Sequence, residues 1–375
     1  VQTCALPISH DALAPSPEGL RRIHQLLLSA QRPLVIAGGA LDVPGGREAL
    51  QKFAQAWQLP VCVAFRRHDL FPNSHPLFVG DLGLANPALQ IEQLHQSDLI
   101  LALGTRLDDI TSQNFSFPCY PQPEQPLVHC HPDPRVLGLH FATEVGLACQ
   151  PKSLLQAIEP LPTGPVLYPD TRRAWLQQLR RTHEAIAAWP QRVAADGVRF
   201  FEVVRHLRSL ASADLRLCLD AGTFAAPVYR HFGFDWPQRL MAPLSGAMGY
   251  GVPAAIATAL REPQHPVVCM VGDGGFMMTG NEMILAVKRQ LPIVFILANN
   301  GSYGSIRIHQ DRAYPGRHPG TDLHNPDFAA LARGFGMTAQ TVDNEGQIES
   351  VLRRALSAQA PTFIEVKTSL QVTLP

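Results

Sequence analysis

Residues 271–282 read VGDGGFMMTGNE, with one carboxylate, Asp273, set among Gly272, Gly274 and Gly275 directly after the apolar run PVVCMV. Glycines leave backbone N–H groups uncovered, so a phosphate can come close, and a helix that follows turns its positive N-terminus toward the anion. A carboxylate in the same turn repels phosphate unless a divalent cation stands between them. The chemistry asked for is therefore a diphosphate bridged to Asp273 by Mg²⁺, an ion that takes oxygen ligands in near-octahedral array. Taken alone, GDG reads equally well as a strand-to-helix turn with a solvated Asp.

A second segment breaks the tie. The apolar run PIVFILAN ends in Asn299-Asn300, and Asn300 follows Asp273 by 27 positions. One helix and one strand fill that interval, as a single right-handed crossover between neighbouring parallel strands requires. The two strand ends then lie side by side, so the side-chain oxygen of Asn300 can join Asp273. The turn GSYG exposes a further carbonyl, that of Ser302, as a third ligand. Thr279 and Glu282 have the spacing of a capping box and predict a helix starting there.

The elements that must carry these residues alternate along the chain. Helical periodicity at EGLRRIHQLLLSA, REALQKFAQAW, NPALQIEQLHQ and PKSLLQAI is interleaved with strand-like PLVIA, LPVCVAF, DLILALG and PLVHC. LPTGPVLYPD, rich in Pro and Gly, reads as a boundary, and TRRAWLQQLRRTHEAIAAW as a bridging helix. A second alternation runs from RFFEVVRHLRSL to TFIEVKT. This predicts an α/β chain of two doubly wound parallel-sheet, Rossmann-like domains in series. The expected divisions are 1–15, 16–160, 161–195 for linker and bridging helix, and 196–375 for the diphosphate-binding domain. VQTCALPI matches a translated sequencing adapter, so residues 1–15 are read as artefact or linker.

GDGG, the 27-residue interval and NNGSYG together resemble the cofactor-binding signature of thiamine-diphosphate enzymes, especially the acetolactate synthase group of 2-oxo acid enzymes. SGAMGYGVPAAIATAL is similar to the segment that precedes the signature, and QSDLILALGTRLDD to part of the central domain. The resemblance covers nearly all of residues 16–367. It implies that Asp273, Asn300 and the Ser302 carbonyl hold Mg²⁺. Gly272, Gly274, Gly275, Tyr303 and Gly304 would meet the diphosphate, with Gly222, Thr223 and Phe224 of DAGTF as a second contact. Met248 would be the apolar wedge against which the two cofactor rings fold, with backbone around Gly246 and Ala247 facing the aminopyrimidine; core filling is the plain alternative for a Met at helical spacing.

By the same resemblance the activity is decarboxylation of a 2-oxo acid, with transfer of the acyl-anion equivalent to a second carbonyl. A simple 2-oxo acid decarboxylase, another carboligase of the family, or a non-catalytic nucleotide- or flavin-binding module stay open as alternatives. The glutamate that activates the cofactor belongs in such enzymes to an N-terminal pyrimidine-binding domain, so no catalytic acid is named here, and these residues alone are expected to bind without turnover. Arg106 in GTRLDD matches a residue near the FAD of flavin-binding members. DLGLAN, however, replaces their Gly-Met-His-Gly-like run, which argues against FAD. The full-length protein would be a homodimer or homotetramer. Arg307 is read as a substrate-carboxylate clamp or, preferably, a surface ion pair.

Bulk composition sets the remaining limits. Lys plus Arg and Asp plus Glu are 31 each among 375 residues, which leaves no surplus charge for nucleic acid or an acidic membrane. No apolar run approaches the roughly 20 residues of a membrane span, and the cytoplasm is the expected compartment. Seven scattered cysteines give no disulfide framework. His129-Cys130-His131 lacks the second Cys/His pair of a structural zinc site and reads as a strand end.

Overall fold

The computed structural model describes residues 14–84, 86–163 and 169–372, and the chain divides into two compact units, 1–185 and 186–375. Residues 1–13, and the centre of the LPTGPVLYPD boundary, lie outside the described residues.

The first unit runs α1 (Pro17–Ser29), β1 (Pro33–Ala37), α2 (Gly46–Trp57), β2 (Val61–Val63), β3 (Phe78–Asp81), α3 (Ala88–His95), β4 (Leu99–Leu103), β5 (Leu127–Cys130), β6 (Val145–Leu147) and α4 (Pro151–Ile158). Its strands pair in parallel in the order β3-β2-β1-β4-β5-β6. β1 and β4 are buried at every position, which is why they read as continuous apolar runs rather than as alternations. α2 turns Leu50, Phe53, Ala54 and Trp57 inward at helical spacing. The helix read as a bridge is α5 (Pro169–Ala187), and its first half docks on this unit. Buried Arg172 donates to the carbonyls of Ala30, at 2.7 Å, and of Trp57 and Leu27, satisfying groups left open at the ends of α1 and α2.

The second unit continues with α6 (Phe200–Leu210), β7 (Arg216–Leu219), β8 (Arg239–Met241), α7 (Gly251–Arg261), β9 (Val267–Gly272), α8 (Asp273–Thr279), α9 (Met283–Arg289), β10 (Ile293–Asn299), α10 (Gly304–Ala313), α11 (Phe328–Gly334), β11 (Thr338–Val342), α12 (Ile348–Leu356) and β12 (Thr362–Lys367). Again every pairing is parallel, in the order β11-β12-β10-β9-β7-β8. The expected fold, two doubly wound α/β sheets in series, is the fold observed.

Both sheets reverse their winding beside their first strand, and in the second β12 also returns to lie between β10 and β11. In the first, β1 leads outward to β2 and β3, while β4 leads the other way to β5 and β6. In the second, β7 leads to β8 on one side and β9 to β10 on the other. The loops leaving β7 and β9 therefore part, and a crevice opens beyond their carboxyl ends.

One local expectation is corrected. The helix predicted from Thr279 begins six residues earlier, at Asp273 itself, with Gly272 as its N-cap. Thr279 caps nothing, because its hydroxyl donates to the carbonyl of Gly249 at 2.8 Å. That bond to another loop outbids the local capping box.

Candidate active site

The crevice at the β7/β9 reversal is a pocket lined on one side by residues 221–224 and on the other by residues 272–275 and 302–305, with Met248, Ala298 and Asn300 completing the wall. Asp273, Asn300 and Ser302 all face this one space, as do Gly222, Thr223, Phe224, Met248, Gly272, Gly274, Gly275, Tyr303 and Gly304. Gly246 and Ala247 do not: they are exposed on the loop beside it.

Asp273 is the only carboxylate in the lining, and it is buried at 3% exposure. Its Oδ2 accepts the N–H of Gly301 and the side-chain amide of Asn325, each at 2.8 Å, while Oδ1 accepts the N–H of Gly274 at 2.9 Å. Burial raises its pKa above the ordinary carboxylate value, against the pull of those hydrogen bonds, the Asn325 amide first among them. Its partners are amides rather than Lys or Arg, so the ionised form has donors but no counter-charge. A divalent cation would supply that charge, and the surrounding oxygens suit Mg²⁺ better than a soft metal. The donor set thus fits Mg²⁺ bridging an anionic ligand. Among the described residues no three His, Cys, Asp or Glu side chains converge as an alternative metal site. His129, in particular, spends Nε2 on the carbonyl of Thr105 at 2.9 Å.

The turn after β10 is fixed from several directions. Asn300 Oδ1 accepts the N–H of Ser302 at 3.0 Å, and the Ser302 hydroxyl donates to the carbonyl of Thr321 at 2.9 Å. The Ser302 carbonyl accepts the N–H of Gly304 at 2.8 Å, which leaves it one lone pair. The Tyr303 amide is spent on Thr321, also at 2.8 Å. Tyr303 and Gly304 therefore shape the wall more than they donate to it. Free donors come instead from the first turns of α8 and α10, at Gly275 and Ser305, whose N–H groups no intrahelical carbonyl reaches.

Gly274 is required by a close approach. A Cβ there would stand 2.5 Å from the Tyr303 ring and 3.3 Å from the Met248 methyl. Met248 itself sits on a loop held by a residue that the sequence reading passed over. Asp220, fully buried just past β7, accepts the N–H of Ala221 at 2.6 Å and that of Gly249 at 3.0 Å, against the start of α7. Burial raises its pKa too, opposed by the amides of Ala221, Gly251, Gly249 and Tyr250. Asp220 also occupies the space a Gly275 side chain would need, since a Cβ there would lie 2.8 Å from its Oδ2.

Asp220, Asn325, Thr321 and Ser305 are the site residues missed from sequence. The only signal available for Asp220 was its position after an apolar strand, and for Ser305 its position at a helix start. Arg307 pairs with Asp322 at 2.6 Å. Beside the pocket, α8 and α9 leave Met277, Met278, Ile284 and Leu285 exposed.

By fold and site this is a two-unit Rossmann-like α/β protein whose second unit presents a glycine-walled crevice with a buried acid at its switch point. Residues 220–366 match the family described as thiamine pyrophosphate enzyme, C-terminal TPP binding domain, and residues 20–158 match thiamine pyrophosphate enzyme, central domain. The chain belongs to the thiamine pyrophosphate enzyme family. It is 28% identical over 341 residues, 90% of its length, to the acetolactate synthase large subunit of Haemophilus influenzae, and equally so to the isozyme 3 large subunit of Escherichia coli. Against the E. coli isozyme 2 large subunit it is 26% identical over 96% of its length. The chain spans 59% to 64% of the length of these relatives.

Proposed function

We propose that this chain is the Mg²⁺- and thiamine-diphosphate-holding part of an acetolactate synthase-like enzyme, acting on a 2-oxo acid and a second carbonyl acceptor. The observation that carries the reading is the convergence of Asp273, Asn300 and Ser302 on one pocket that also collects the first turns of α8 and α10. When bound, the cofactor supplies a nucleophilic carbon and an electron sink for loss of carbon dioxide.

The protein's part is binding and orientation. Asp273 supplies the charge for the cation, with Asn300 and the Ser302 carbonyl as neutral oxygens. The amides of Gly275 and Ser305 and the hydroxyl of Thr223 are placed for the anionic tail. Met248, held by the Asp220-anchored loop, presses the ligand from the apolar side. Because Asp273 is the only carboxylate in the lining, the acid that activates the cofactor comes from elsewhere, and these 375 residues alone bind without turning over. In the full-length protein the exposed row on α8 and α9 is covered in a homodimer or homotetramer. We place the protein in the cytoplasm.

Calorimetric titration of the chain with thiamine diphosphate, with and without Mg²⁺, tests the reading: binding is expected only with the cation, and equal heats in both titrations would overturn it. In the full-length enzyme, a hydroxyketone product supports carboligation, whereas an aldehyde points to the decarboxylase alternative.

A further inference from the structure

A line of buried and half-buried hydrogen bonds runs toward the pocket from β12, the strand beside β10. It begins at Glu365 of β12, 1% exposed, whose carboxylate is paired with Lys367 and accepts the Thr341 hydroxyl at 3.3 Å. Glu365 Oε1 accepts the side-chain NH₂ of Asn299 at 2.7 Å. Asn299 Oδ1 accepts the side-chain NH₂ of Asn325 at 2.9 Å, and the same NH₂ reaches Asp273 Oδ2 at 2.8 Å. The N–H of Gly301 bridges the same two oxygens, at 3.2 Å and 2.8 Å.

The sense of this line is fixed by its first member. An ionised carboxylate only accepts, so Asn299 must turn its NH₂ toward Glu365 and its oxygen toward Asn325. Asn325 must then present its NH₂ to both Asn299 and Asp273. With two N–H donors on it, Oδ2 of Asp273 is saturated. Oδ1 accepts the Gly274 N–H and carries no side-chain donor, which leaves it the oxygen open to a cation; the N–H of Asn300 also lies on this carboxylate.

We infer that Asn325 is a positioning residue for the metal-binding carboxylate, with Glu365 and Asn299 fixing its polarity, so that Asp273 offers Oδ1 rather than Oδ2 to Mg²⁺. This rests on the reading of Asp273 as the cation ligand. Partners of this kind hold a ligand in its productive orientation, and removing one typically costs about 10- to 100-fold in metal affinity.

The test is Mn²⁺ titration of the intact chain in the presence of thiamine diphosphate, read by the loss of the free-Mn²⁺ electron paramagnetic resonance signal. Asn325→Ala is expected to weaken Mn²⁺ binding by about 10- to 100-fold. Asn325→Asp, which keeps the shape but replaces the donor by an acceptor, is expected to weaken it at least as much. Glu365→Gln, which lets the line reverse, is expected to cost about tenfold. Circular dichroism melts of the metal-free proteins show which variants are folded at the titration temperature, and any folded member of the three decides the matter. A residue that merely stabilised the fold would lower the melting point and leave the Mn²⁺ constant of the folded variant unmoved; that outcome overturns the inference. Asp273→Ala separates the two levels. If it abolishes binding while the folded Asn325 and Glu365 variants bind like the wild type, the positioning role fails and the cation site stands. If Asp273→Ala binds like the wild type, the cation site itself is misassigned and the inference falls with it.

Discussion

Both sheets are parallel and six-stranded, and each reverses its winding beside its first strand, though their strand orders differ; the two crevices are built from opposite materials. At the β1/β4 reversal, Gly38 lies so close to the turn after β4 that a Cβ would come 2.4 Å from the Thr105 backbone. Over Gly39 lies the guanidinium of Arg67, near Asp42, in a group of charges that also contains Arg47 and Asp69. Backbone and basic side chains fill that end of the sheet. At the β7/β9 reversal the glycines line a pocket instead, with side chains rather than backbone standing where their Cβ atoms would go, and the charge facing that pocket is a lone buried acid. A reversal of winding thus places a crevice but does not choose its ligand; the residue types do.

The comparison breaks first at Asp273. Asp273→Ala is expected to remove about 4 kcal/mol of Mg²⁺-dependent thiamine diphosphate binding, about a thousandfold, as for other desolvated charge contacts. Arg67→Ala, at the other crevice, is expected to leave that binding unchanged. Calorimetry on both variants checks the pair.

Acid sharpens the contrast. In the first unit, burial and then the nearby Arg180 hold His183 of α5 down to about 4, with its ring edge-on to Phe78 at 4.9 Å. A histidine depressed in this way stabilises the folded state fully above its unfolded value of about 6.5, and that stability is lost as pH falls toward 4, amounting to about 3 kcal/mol. Asp220 and Asp273 carry the reverse sign. Their raised values favour the folded state below the ordinary carboxylate range and penalise it as pH rises through them. Denaturant melts of His183→Gln between pH 6.5 and 4 are expected to show a flatter acid limb than the wild type.

A smaller effect separates the two glycines. Gly38→Ala meets rigid backbone and is expected to cost the fold about 2 kcal/mol. Gly274→Ala meets a movable ring and methyl, so its cost is expected chiefly in ligand affinity. Thermal melts and calorimetry, run on both variants, distinguish them. Smallest of all, Met248→Leu conserves volume and is expected to change cofactor affinity by less than about 1 kcal/mol.

Much of this is legible in the sequence. Strands buried on both faces announce themselves as apolar runs, and the 27-residue interval between Asp273 and Asn300 encodes neighbouring strand ends. The short edge strands β3, β6 and β8 were not found, because three or four residues such as VGL carry too little pattern. Asn325 and Thr321 were missed because they reach the pocket through loop-to-loop hydrogen bonds, which leave no periodicity. The capping box at Thr279 misled because local spacing does not reveal a tertiary acceptor such as the Gly249 carbonyl.

The ring of Tyr303 stands where a side chain on Gly274 would have to go, against the Met248 methyl. A tyrosine held in so asymmetric a place is an intrinsic chromophore at the mouth of the site. Entry of an anionic tail between these residues changes the surroundings of that ring, so near-ultraviolet absorption and its optical activity report occupancy without any label.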